Sequence, residues 1–119
     1  MGLDITEFAE TLQEAISYNQ LERYFTVTGE GLPTATSHYD IQPDINAIKA
    51  DIASAGGLKL SHAQRRMLVV LVALWEGRIA DEVFADGIGS LPKIVQSMDK
   101  NNRALFADLI VTFPGWGSI

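Results

Sequence analysis

Apolar residues recur with helical spacing along most of this chain. Ile5, Phe8, Ala9, Leu12, Ala15 and Ile16 fall at i, i+3, i+4 and i+7, so the spacing predicts a helix with one buried stripe from about Asp4 to Asn19, extending at most to Tyr24. Asp4 is a good N-cap, and Glu7, three residues on, completes an acidic variant of the capping box. Ile41, Ile45, Ile48 and Ile52 form a second stripe, read as a helix over Pro43 to Ser54 with Pro43 in its first turn and Gly56-Gly57 as its stop. Ser61-His62-Ala63-Gln64 is a capping box that opens a third helix, over about residues 62–76. Its apolar run, Met67 to Trp75, covers nine positions and every direction around the axis. A helix apolar all round is normally enclosed by other elements, so this one is the predicted centre of the core. A membrane span needs about 20 apolar residues, which this run lacks.

The rest of the pattern is shorter. Residues 79–85 read as a short helix, and Ser90 caps another over Leu91 to Met98 with Pro92 in its first turn. Asp99 caps a last helix, about Lys100 to Phe113, with Leu105, Phe106, Leu109, Ile110 and Phe113 as its buried stripe. Pro114-Gly115 ends it and leaves residues 114–119 as a tail carrying Trp116. Helical spacing fails over residues 26–40. Thr26-Val27-Thr28 and Thr34-Ala35-Thr36 favour extended backbone around the turn-formers Gly29, Gly31 and Pro33. The segment reads as a loop, with a short β-hairpin near residues 24–39 as the alternative, because a lone hairpin is marginal unless it packs on something. The expectation is an all-α fold: one domain over residues 1–119, a compact bundle of five or six helices.

Composition narrows the chemistry. With no cysteine among 119 residues, disulfides, thiolate zinc sites and cysteine nucleophiles are excluded. The N-terminus lacks the basic region of a secretory signal, and the expected location is the cytoplasm. The net charge of −6 is uneven: nine acids against two bases in residues 1–55 give −7, and the remainder carries +1. Such a balance does not suit phosphate neutralisation, so direct nucleic-acid binding is not expected. Leu91–Met98 and Lys100–Phe113 could pass for a helix-turn-helix by length, but Lys100 and Arg103 are offset by Asp99 and Asp108.

No assembled catalytic, metal or nucleotide motif stands out, and no cofactor is expected. Asp81 to Gly87 resembles a calcium loop but offers Val83 and Ala85 where oxygen ligands belong. Gly29-Glu30-Gly31 and Gly87-Ile88-Gly89 lack the third glycine of a dinucleotide fingerprint. Ser37-His38-Tyr39-Asp40 gathers a hydroxyl, an imidazole, a phenol and a carboxylate, though catalytic groups usually converge from different elements. Two surface features remain. Asp4, Glu7, Glu10 and Glu14 share a face of the first helix with no base before Arg23; the helix dipole accounts for Asp4 and Glu7 but not for Glu10 and Glu14. The tail presents Trp116, either to its own core or to a neighbour. These five residues are the candidate partner-binding set. The function expected is a non-enzymatic protein–protein interaction or regulatory module. The alternatives are a nucleic-acid mimic that occupies a basic groove on its target, a small enzyme built on the His38–Asp40 loop, and a subunit that homodimerises through leftover apolar surface.

Overall fold

The computed structural model describes residues 5–27, 38–84, 87 and 89–116. Six α-helices and one two-stranded antiparallel sheet occur among them: α1 (Ile5–Tyr18), β1 (Phe25–Val27), β2 (Ile41–Pro43), α2 (Ile45–Ala53), α3 (His62–Trp75), α4 (Gly77–Val83), α5 (Leu91–Ser97) and α6 (Lys100–Thr112). Short 3-10 turns precede the strands at Glu22–Tyr24 and His38–Asp40. The radius of gyration is 13.6 Å, close to the roughly 13.5 Å of a compact chain of this length. None of the described helices is long and apolar enough to cross a membrane.

α3 is the hub. It packs against β2, α4, α5 and α6, and Met67 through Val72 are buried on every side. The capping box forms as the residues dictate: Ser61 Oγ accepts from the Gln64 N–H, and Gln64 Oε1 accepts from the Ser61 N–H. Local chemistry fixes the later helix starts too, with Ser90 and Asp99 side chains accepting from the third residue onward. Two details depart from the sequence expectation. α4 begins at Gly77 directly after α3, because Glu76 alone adopts extended backbone and breaks the axis. On α6 the buried line runs Asn102, Leu105, Leu109, while Ile110 is 53% exposed.

The segment expected to be a loop contributes a strand. Phe25, Thr26 and Val27 pair with Pro43, Gln42 and Ile41, so the sheet exists but its second strand falls beyond residue 39. Pro43 therefore ends a strand and is not in a first helical turn. It donates nothing to the ladder, which a two-stranded sheet tolerates at its end. The Asp44 N–H donates to the Tyr24 carbonyl at 2.8 Å, and the Asp44 side chain then caps α2 by accepting from the Ala47 N–H. Thr34–Thr36 lie outside the described residues.

α1 packs along α6. It ends in a Schellman motif: the Leu21 N–H donates to the Ile16 carbonyl at 2.9 Å and the Gln20 N–H to the Ser17 carbonyl at 3.1 Å. Gln20 takes the left-handed position, φ 58°, where glycine is usual. Leu21, next in line, is fully buried.

Candidate functional site

Helical spacing puts Glu7, Glu10 and Glu14 on the outer surface of α1, and all three are exposed. Asp4 lies outside the described residues. Among the described residues neither Glu10 nor Glu14 has a basic partner, whereas Arg23 pairs with Asp51 at 2.7 Å.

The α1–α6 register is fixed at two points. Near the start of α1, Phe8 meets Phe113 edge to face at 5.5 Å. At the end of α1, Asn19 and Asn102 exchange amide hydrogen bonds of 2.7 and 2.9 Å while both are buried. These antiparallel contacts set Glu14 about level with Ala107 and Glu10 about level with Val111. Between the helices lies a shallow groove of about 330 Å³ lined by Glu14, Tyr18, Asn101, Ala104, Leu105 and Asp108. The Tyr18 hydroxyl donates to Asp99 Oδ2 at 3.2 Å and accepts from Asn101 Nδ2 at 3.1 Å, which holds its half-exposed ring at the groove's end.

Trp116 is 5% exposed. Its Nε1–H is shared between the His38 and Ile41 carbonyls at 3.1 and 2.9 Å, and its ring stands edge-on to Phe8 at 6.1 Å. The described part of the tail thus packs back on the chain's own core, the first of the two placements open from sequence. Its indole forms no part of the exposed face.

The His38 loop also turns inward. His38 is fully buried, edge-on to Phe8 at 5.1 Å. Burial lowers its pKa below the usual imidazole value, partly opposed by a hydrogen bond with the Gly115 backbone. Asp40 is half-buried; Ser37 lies outside the described residues. Two adjacent bases of α3 are likewise drawn in: Arg66 is buried, and the Arg65 guanidinium sits over the Phe84 ring at 5.7 Å. Among the described residues no three His, Asp or Glu side chains converge as metal ligands.

A second cleft, about 410 Å³, lies between the ends of α1 and α2, lined by Gln20, Arg23, Tyr24, Asp51, Lys59 and neighbours. Arg23 binds Asp51 through Nε and Nη2 at 2.7 and 2.9 Å, and the Tyr24 hydroxyl donates to the same carboxylate at 2.7 Å. The Arg23 and Tyr24 hydrogen bonds hold the Asp51 pKa down at about 2. Sequence reading missed this set and the Asn19–Asn102 pair. The one available signal was Asn102 itself, a polar residue standing i−3 and i−7 from Leu105 and Leu109 on an otherwise apolar line.

No family model, curated protein or solved structure matches the chain.

Proposed function

We propose that this chain is a non-enzymatic interaction module that docks a basic partner protein against the acidic face of α1. The observation that carries the reading is the exposure of Glu10 and Glu14, one turn apart, with no compensating base among the described residues. Like charges at that spacing weaken an isolated helix slightly. Their pairing with positive charge on a partner relieves the repulsion and steers association. The full burial of His38 weighs against an enzyme that uses its imidazole.

The test is affinity capture from a lysate of the source cell, comparing the wild type with the Glu7→Gln/Glu10→Gln/Glu14→Gln variant. Helix content is checked by circular dichroism, because Glu7 sits in the first turn and favours the helix dipole. A partner lost from the variant, and lost from the wild type between about 0.05 and 0.3 M salt, supports the reading. Equal recovery by both proteins overturns it.

A further inference from the structure

The acidic ridge has an apolar neighbour. On α6, Val111 is 74% exposed. Groove-lining positions Asn101, Ala104 and Asp108 are spaced +3 and +4. The next +3 step reaches Val111, so the groove wall continues through it. On α1 the line through the lining residues Glu14 and Tyr18 runs back to Thr11 and Glu7. The Phe8–Phe113 and Asn19–Asn102 contacts place these two lines side by side in antiparallel register. Glu7 and Glu14 therefore flank one side of the groove, and Ala104 and Val111, with Asp108 between them, the other, over two helical turns, about 10 Å.

We infer that the α1–α6 groove receives an amphipathic helix of the partner, with lysines or arginines along one stripe and small aliphatic residues along the next. The inference rests on the proposed interaction role and names the partner's form. Two helices side by side present a groove that a third helix fills with side chains spaced i, i+3/i+4 and i+7. Glu7, Glu10, Glu14 and Asp108 set the sign of the stripe. Of the α6 bases, Arg103 turns its guanidinium away, donating from Nε to the Val95 and Met98 carbonyls at the α5–α6 corner. Lys100 stands at the far end, in the first turn of α6. A second copy of this chain is a poor occupant, because a twofold contact sets this face against itself and brings the same acids together. Anionic lipid and nucleic acid are repelled for the same reason.

The probe is a pair of labelled synthetic peptides of identical composition. One places lysines and leucines on adjacent helical stripes, and the other scrambles that order. Fluorescence anisotropy should show the patterned peptide binding at least tenfold tighter. Ala104→Trp, which fills the groove at an exposed position, should weaken it about tenfold or more. Val111→Ser should weaken it several-fold, in line with a lost valine contact. Both sites are exposed, so both variants should keep the wild-type circular dichroism spectrum. Equal affinity for the two peptides, no binding by either, or indifference to both substitutions overturns the groove. Lysate capture separates this from the broader reading. A partner lost on neutralising the glutamates but retained by Ala104→Trp and Val111→Ser leaves the acidic face standing and removes the groove.

Discussion

The buried amide pair linking α1 to α6 allows a sharp test of what holds the two helices in register. Asn19 and Asn102 are each 1% exposed. Asn19 Nδ2 donates to Asn102 Oδ1 at 2.7 Å and to the Ala15 carbonyl at 2.8 Å, while Asn102 Nδ2 donates to Asn19 Oδ1 at 2.9 Å. Replacing one member by leucine, close to asparagine in size, strands the other amide without water. A stranded buried donor or acceptor costs about 1–3 kcal/mol, so each of Asn19→Leu and Asn102→Leu should destabilise by about 2 kcal/mol. The Ala15 carbonyl limits the loss from Asn19, because the Asn19 backbone N–H also donates to it, at 3.3 Å. With both replaced, no polar group is stranded and an apolar contact takes the place of the pair, so the double variant should lie within about 1 kcal/mol of wild type. The coupling energy is then about 3 kcal/mol, at the upper end of what contacting residues show. Unfolding entropy for a chain of this length is about 0.25 kcal/mol per kelvin, which makes each single substitution worth about 8 °C in Tm. Urea titrations followed by far-UV circular dichroism measure all four corners of the cycle. Additive losses, with coupling under about 0.5 kcal/mol, would refute the claim that the two amides act as one unit.

Gln20 occupies a left-handed position with φ 58°, so Gln20→Gly should raise the urea midpoint by the equivalent of about 1 kcal/mol while Gln20→Ala should not. His38 is buried with a lowered pKa. The unfolded chain therefore takes up its proton first, and stability should fall as pH drops below about 6.5 toward the folded pKa; chemical denaturation across that range should show the slope in wild type and its loss in His38→Phe. Asp51 works in the acid range: its pKa is held at about 2 by the hydrogen bonds from Arg23 and Tyr24. Its contribution is complete above the unfolded value near 4 and disappears as pH falls toward 2, so the stability gap between wild type and Asp51→Asn should close over that interval. A carboxyl titration by NMR with its midpoint near 4 would contradict the pairing.

What could be read from the chain was set by how local its cause was. Ser61, Ser90 and Asp99 cap helices three residues ahead, and the capped termini agree with expectation. Met67 to Val72 announced their burial through composition alone. β2 did not announce itself, because the strand exists by virtue of Phe25–Val27, which lie about 16 residues earlier in the chain. Ile41 was buried as expected, but by the sheet and not by a helix stripe. The Asn19–Asn102 pair joins residues 83 positions apart, and an asparagine on an apolar line carries no mark of its partner. Ile110 shows the converse: its apolar identity put it in the stripe, whereas the packed line is the one that faces Asn19. Of the candidate face, Glu7, Glu10 and Glu14 followed from helical spacing. The groove beside them depends on which side of α6 meets α1, and only the tertiary register supplies that.

The two register contacts also explain why the groove can serve as a preformed surface. Phe8–Phe113 and Asn19–Asn102 stand near opposite ends of the α1–α6 interface, so neither helix can slide or roll without breaking one of them. A surface held this way needs little ordering on binding, which lowers the entropic cost of association. Glu10 and Glu14, one turn apart, oppose helix stability by about 0.2–0.5 kcal/mol. Glu14→Gln should therefore stabilise the free protein by up to that amount. A face that serves only to keep the chain dissolved would gain this stability and lose no partner. A docking face gains it and loses affinity, so denaturation midpoint and partner binding should move in opposite directions in the same variant. Movement in the same direction would place the repulsion, and the reason for it, somewhere other than on this helix.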